Sequence, residues 1–332
     1  MKQFEKPILF IVFKRLDTTK RVFEQIKKLK PLKLYIASDG PRNESEKAKV
    51  LQVREFILKN IDWGCEVKTK FRDKNLGLGF GVNDAIDWFF SHVEEGIILE
   101  DDCLPSISFF YFCQELLDMY RDNKKIGVIQ GFNPFSQKDY PDSYFFSKYD
   151  LKWGWATWKD RWQYQDMYTA DWPQIKKSNF LDEISRGNRF VKLYWEAIFD
   201  QIHRNPYLTW DTQFTYQMLK RCMLTIVPKK NIVLNIGYGE EASSTKWGIP
   251  KHIKSLKLEE LDFPLMYPKE IKINEAYDRL VENIHFEMNL MTVLRYKLRN
   301  FLESNSITRK ILLPFMVNLY RVYKKVKLKL SM

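Results

Sequence analysis

Gly96-Ile97-Ile98-Leu99-Glu100-Asp101-Asp102-Cys103-Leu104-Pro105 is the stretch from which the rest of the chain can be read. A short apolar run between a glycine and a proline has the length and composition of a buried strand, and three consecutive carboxylates follow where that strand leaves its sheet. Ligands of open α/β sheets bind beyond the carboxyl ends of the strands, so Glu100, Asp101 and Asp102 become candidate site residues. Like charges at a strand end repel, and the arrangement needs a cation, a donor-rich ligand or full solvation. Hard oxygen ligands of this kind suit Mg2+ or Mn2+, which share their shells with substrate phosphates. The same residues also suit a solvated acidic turn ahead of a helix starting near Ser106.

Upstream, residues 8–13 read as a first buried strand, followed by a helix from Thr18 with Val22, Phe23, Ile26 and Leu29 on one face. Residues 32–37 repeat the strand signal and end in the turn cluster Ser38-Asp39-Gly40-Pro41. A polar helix with Val50, Val53, Phe56 and Ile57 on one side leads to a third strand over 65–71. Such βα units predict a mostly parallel sheet covered by helices. Residues 72–81, Arg72-Asp73-Lys74-Asn75-Leu76-Gly77-Leu78-Gly79-Phe80-Gly81, then lie between that strand and a helix predicted over 82–92, the setting of a phosphate-cradling loop. Their spacing is G-x-G-x-G, and glycines in a βα turn also serve geometry alone. Arg72 and Lys74 either meet a diphosphate or are solvated.

Downstream, residues 109–120 read as a helix and 126–130 as a strand, with a further strand over 144–146. Trp155, Trp158 and Trp162 then recur at helical spacing, which predicts a buried helix face or, for one or two of the rings, the wall of an acceptor cleft. After a helix over 190–202, Trp210-Asp211-Thr212 opens another over 213–220, where Asp211 is either an N-cap or a general base at a cleft edge. Residues 223–227 and 232–234 are strand-like. The stretch 235–245, with Glu240 and Glu241, is rich in glycine and small polar residues and has the composition of a loop that closes over a ligand.

The 332 residues suffice for a large core, and 15% are aromatic, serving either as core or as platforms for sugar rings. Formal charge is +12, but Arg309, Lys310, Arg321, Lys324, Lys325, Lys327 and Lys329 lie in a stretch after residue 304 that holds no acidic residue. Removing those seven leaves +5 for the remainder. A basic tail with Phe315, Leu319, Val322, Val326 and Leu330 on one helical stripe suits an anionic membrane surface, a docking partner or a loose end. A terminal excess without a recognition motif argues against nucleic acid. The cysteines, Cys65, Cys103, Cys113 and Cys222, show no metal-ligand spacing and are expected to be reduced, as in a cytosolic protein. The apolar run at 8–13 is too short for a signal peptide, and no segment approaches a membrane span.

In their order, Arg15 after the first strand, Ser38-Asp39, the loop 72–81, Glu100-Asp101-Asp102, Gly154-Trp155, Trp210-Asp211 and the loop 235–245 resemble GT-A-fold glycosyltransferases, and most of all the inverting N-acetylglucosaminyltransferase I family and its bacterial relatives. The resemblance covers about residues 5–250. It implies an α/β fold with a mixed sheet flanked by helices, residues 1–260 forming the transferase domain and 261–332 a helical extension with the basic tail. Within that domain 1–133 would bind the nucleotide sugar and 134–260 the acceptor. It further implies a metal-dependent, inverting hexosyl- or N-acetylhexosaminyltransferase of bacterial surface-polysaccharide synthesis, using a UDP-sugar and a glycan or lipid-linked glycan acceptor. Arg15, Asp39, Arg72, Lys74 and Asp101 would face the donor, Asp102 and Glu100 would hold Mn2+ or Mg2+, and Asp211 would be the base. Trp155, Trp158, Trp210, Glu240 and Glu241 would line the acceptor side. The expected location is cytoplasmic, on the inner face of the membrane through residues 304–332. Two departures are visible: Asp211 is followed by Thr212 where the family has a second acid, and 235–245 has no histidine. A sugar-phosphate nucleotidyltransferase, which would release pyrophosphate, and a metal-free carbohydrate-binding protein remain the alternatives.

Overall fold

A computed structural model describes residues 3–137, 139–238 and 249–304, with side chains to residue 302. The chain forms two compact units. The first contains the described residues of Met1–Met167, Tyr207–Gly237 and Leu256–Asp278; the second contains those of Tyr168–Pro206, Tyr238–Ser255 and the chain from Arg279.

The first unit opens with β1 (Ile8–Val12), α1 (Leu16–Leu29), β2 (Lys33–Ser38), α2 (Glu44–Asn60), β3 (Glu66–Phe71), α3 (Gly77–Phe90) and β4 (Glu95–Glu100). There follow β5 (Cys103–Pro105), α4 (Ile107–Met119), β6 (Ile126–Gln130), β7 (Tyr144–Ser147), β8 (Trp155–Trp158) and α5 (Lys159–Trp162). The chain then enters the second unit as α6 (Trp172–Ile175), α7 (Phe180–Ser185) and α8 (Arg189–Arg204). It returns as α9 (Asp211–Lys220), β9 (Leu224–Pro228) and β10 (Val233–Asn235), and ends in α10 (Lys251–Lys254), α11 (Glu275–Leu280) and α12 (Leu290–Ser304).

Eight strands form one mixed sheet of order β3-β2-β1-β4-β8-β6-β9-β7. β3, β2, β1 and β4 run parallel, β8 is antiparallel to both β4 and β6, and β7 is antiparallel to β9. Alternation along each strand supplies a core to both faces. Phe10, Ile36, Ile97 and Leu99 join one cluster, covered by Val22, Phe23 and Ile26 of α1 and by Phe109, Phe112 and Leu116 of α4. Leu9, Tyr35 and Ile98 join the other, covered by Val82, Ile86 and Phe89 of α3 and by Phe214 and Met218 of α9. This is the α/β class expected from the sequence, a mixed sheet flanked by helices.

Three details differ from expectation. Trp155 and Trp158 lie on β8, not on a helix: three residues apart on a strand, they point to opposite faces and join different core clusters. Helix α3 begins at Gly77, not at residue 82, so all three glycines of 72–81 lie inside its first turns. The division at residue 260 also falls elsewhere, because Leu258, Leu261, Phe263 and Leu265 pack on the first cluster and keep 256–278 with the sheet.

In the second unit α6, α7 and α12 pack on α8. Trp172 Nε1 donates to Asp200 at 2.9 Å, Lys176 reaches the same carboxylate at 2.8 Å, and Asn300 Nδ2 donates to the Ala197 carbonyl at 2.7 Å. The four cysteines are free. Among the described residues no helix is long and apolar enough to cross a membrane.

Candidate active site

Because β1 and β4 are parallel neighbours, their carboxyl ends open side by side, and the residues just beyond them meet. Glu100 closes β4 and Asp101-Asp102 make the turn into β5. Across from them Arg15, one residue ahead of α1, places its guanidinium 2.5 Å from Asp101 Oδ1 and 2.7 Å from Asp102 Oδ2. Asp101 Oδ2 accepts the Phe13 N–H at 3.2 Å, so both oxygens of Asp101 are engaged within the protein. Asp101 thus ties the end of β1 to the turn, where a donor contact was expected.

The turn is clamped from its other side. β5 pairs antiparallel with β10, Cys103 opposite Asn235, and the Ile236 N–H continues the ladder to the Asp102 carbonyl at 2.8 Å. That pairing brings Gly237 against the acidic residues so closely that a Cβ there would fall on Asp102 Oδ2 and the Arg15 guanidinium. Arg15 Nη1 donates to the Gly237 carbonyl at 3.4 Å.

Asp211, the first residue of α9, is close enough for its charge to act on Glu100. Its Oδ1 accepts from the Thr209 hydroxyl and from the Thr212 N–H, while Oδ2 accepts no hydrogen bond among the described residues. Glu100 therefore feels the charges of three other carboxylates and one guanidinium. Burial, then the like charges of Asp102, Asp101 and Asp211, push the Glu100 carboxyl up to about 8. Burial works against the Arg15 charge, but the facing Asp101 and Asp102 outweigh it and hold the proton more firmly than usual. The Glu100 carboxylate accepts no hydrogen bond among the described residues. An unpartnered carboxylate beside an excess of negative charge is what a hard divalent cation would relieve, so the donor set fits such an ion in its chemistry. No group of three or more His, Cys, Asp or Glu in metal-binding arrangement occurs among the described residues, so such an ion would need oxygens from its substrate as well.

The other expected donor contacts lie around the ends of β2 and β3. The Asp39 carboxylate accepts the N–H groups of Gly40 at 2.9 Å, Leu76 at 3.0 Å and Gly77 at 3.1 Å, which caps the start of α3. Gly79 and Gly81 are required by close approach: a Cβ would lie 2.7 Å from the Tyr207 carbonyl oxygen and 2.9 Å from Asp39 Oδ2, respectively. These glycines serve packing, the geometric role that was one of the two readings open for them, and 72–81 forms a capped helix start. Arg72 Nε donates to Asp84 at 2.9 Å, and Lys74 is exposed. Arg54 of α2, which sequence reasoning missed, binds the carbonyls of Ser38, Asp39 and Arg72 at 3.2, 3.0 and 2.7 Å and so pins both strand ends.

The tryptophans expected to line an acceptor are buried. Trp155, Trp158 and Trp210 are 1%, 0% and 4% exposed, so they are core, with no open face for a sugar. Trp155 and Trp210 stack with centroids 5.7 Å apart, and Trp158 Nε1 is bound to the Leu117 carbonyl. Glu240 and Glu241 lie outside the described residues. Two more residues that the sequence did not single out are Asp150 and Lys152. The Lys152 ammonium is 2.5 Å from Asp150 and donates at 3.0 Å to the Asp211 carbonyl and at 3.0 Å to Thr215 Oγ1, holding the first turn of α9 from below. No sequence signal marks it, since an isolated lysine reads as solvated.

No protein-family profile and no curated protein sequence matches this chain. Among solved structures, the chain is similar to a mannosyltransferase from Pyrobaculum calidifontis in complex with GDP-Man and Mn2+, at 11% identity and a TM-score of 0.43, covering 97% of this chain and 84% of that one. It is also similar to HddC from Yersinia pseudotuberculosis, at 10% identity, 47% and 77% coverage and a TM-score of 0.30. A third is 4-diphosphocytidyl-2C-methyl-D-erythritol synthase from Anaerococcus prevotii, at 9% identity, 52% and 78% coverage and a TM-score of 0.29.

Proposed function

We propose that this chain is a GT-A-type glycosyltransferase that moves a sugar from a nucleoside-diphosphate donor to an acceptor hydroxyl with inversion at the anomeric carbon. One observation carries the reading. Asp211, with one carboxylate oxygen that accepts no hydrogen bond among the described residues, stands at a helix start close enough to influence Glu100 in the acidic turn.

Asp211 Oδ2 takes the proton of the acceptor hydroxyl while that oxygen bonds to the anomeric carbon. The bond from the anomeric carbon to the diphosphate breaks on the opposite side, and the nucleoside diphosphate leaves with the electron pair. Thr209 and the Thr212 N–H hold the other carboxylate oxygen, which fixes the base in one orientation. Arg15 offers fixed positive charge at the mouth of the site. Asp102 and Glu100 would hold a divalent ion, Mn2+ or Mg2+, which when bound neutralises charge on the departing diphosphate. We further propose a UDP-sugar donor, kinship with the N-acetylglucosaminyltransferase I group, a glycan or lipid-linked glycan acceptor in surface-polysaccharide synthesis, and attachment to the inner membrane face through residues 304–332.

A panel of nucleotide sugars screened by thermal shift with and without Mn2+ tests this. A true donor raises the unfolding temperature by mass action, and Asp102→Asn removes the Mn2+-dependent part. Asp211→Asn should lower turnover by about 10²–10⁴-fold with donor binding retained. Wild-type turnover by that variant, or release of pyrophosphate in place of a nucleoside diphosphate, overturns the reading.

A further inference from the structure

Helix α12 is amphipathic in an unusual sense. Its inward face carries Thr292, Val293 and Asn300, all under 8% exposed, with Asn300 bonded to α8. Its outward face carries larger apolar groups. Leu290, Met291, Leu294, Leu298 and Phe301 are 53%, 72%, 51%, 42% and 67% exposed. At roughly 100° per residue these five positions fall within one sector of about 100°, a continuous stripe along the helix. Scattered exposed leucines need no explanation, but an aligned stripe on one helix marks an interaction surface.

The charge of this helix and of the sequence that follows it selects the partner. From Leu290 to the end the chain has ten basic residues and a single acid, Glu303, a net +9 out of the whole chain's +12. Arg295 and Lys297 flank the stripe, Lys297 lying 3.6 Å from Glu196 of α8. The 28 residues after Ser304 extend the same chemistry, apolar and basic with no acid. A second copy of this surface would bring like charge against like, and a protein groove would have to be strongly acidic. An anionic bilayer offers both an apolar interior for the stripe and negative headgroups for the flanks.

We propose that α12 is itself a membrane-docking helix. Its stripe enters the headgroup–acyl boundary of an anionic leaflet, and the basic chain that follows adds electrostatic hold. This deepens the attachment through residues 304–332 proposed above, by assigning the apolar part of the binding to the folded domain. It is independent of the transferase reading, since neither donor nor acceptor takes part.

The test uses the full chain and vesicles of phosphatidylglycerol and phosphatidylcholine in equal parts, with phosphatidylcholine alone as reference. Wild type should cosediment with the anionic vesicles only. Leu294→Glu/Leu298→Glu, with every tail lysine in place, should lose at least about tenfold in partitioning at an unchanged unfolding temperature. If that variant unfolds early, Met291→Ser/Phe301→Ser, at the two most exposed positions, replaces it with the same expectation. Wild-type binding by a folded stripe variant, together with loss of binding on truncation after Ser304, overturns the role of α12 and leaves the tail as the anchor. Absence of wild-type binding, equal binding to phosphatidylcholine alone, or a wild-type dimer that the stripe variant dissolves also overturns it.

Discussion

Lys152 and Asp150 have side chains only 3% and 1% exposed, an expensive place for two charges. Such pairs seldom stabilise a fold more than apolar residues would, but removing one partner strands the other. Here the ammonium also binds the Asp211 carbonyl, so the pair sets where the proposed base stands. Lys152→Met should cost about 3–5 kcal/mol by chemical denaturation, and Asp150→Leu/Lys152→Met should recover most of it. Turnover should stay low in the double variant although stability returns. Recovery of both together would make the pair purely structural. This arrangement was not legible in advance, because nothing in the order Asp150-Leu151-Lys152 shows that a helix some 60 residues later rests on it. Asp211 itself was legible, because an acid just before a helical pattern draws notice whether it caps or catalyses.

Among elements, β1, β2 and β4 were readable because burial on both faces leaves an apolar run with little else to be. β8 was not. Tryptophans at 155, 158 and 162 imitate helical spacing, yet only the first two share a strand and the third sits on α5. Strand pairing with β4 and β6 overrides the local pattern, and no single-chain periodicity contains that information. The start of α3 was missed for a related reason: glycine disfavours helices intrinsically, but close approach to residues 207–209 demands it. Gly79→Ala would press a Cβ into the Tyr207 carbonyl, just ahead of Thr209 and Asp211. We expect a loss of about 1–3 kcal/mol and reduced turnover. Gly64→Ala, with nothing within 4 Å, is the control and should leave melting and rate unchanged.

For the whole molecule, acid stability can be traced to a named group. Glu46 receives Arg42 and, at 2.7 Å, Lys14. Hydrogen bonding to Arg42, set against burial and helped by Lys14, lowers its carboxyl from 4.5 to about 2. A carboxyl depressed on folding contributes stability above its unfolded value and loses it as pH falls toward the folded value. The contribution should therefore be intact above pH 4.5 and vanish between 4.5 and 2. Glu46→Gln should be less stable at neutral pH and flatten the unfolding temperature across that window. A variant whose acid limb matches wild type would assign the transition to other carboxyls.

The turn bearing Glu100, Asp101 and Asp102 is held at both ends, by the central sheet before it and by the β5–β10 ribbon after it. Crowding that much like charge into a few residues is therefore opposed once, while the polypeptide collapses, and by backbone ladders far larger than any incoming molecule. A ligand arriving there finds dipoles and charges already aimed and does no work to assemble them. Selectivity at this mouth would then reside in rigidity: a guest whose oxygens are spaced otherwise has no softer arrangement to fall back on.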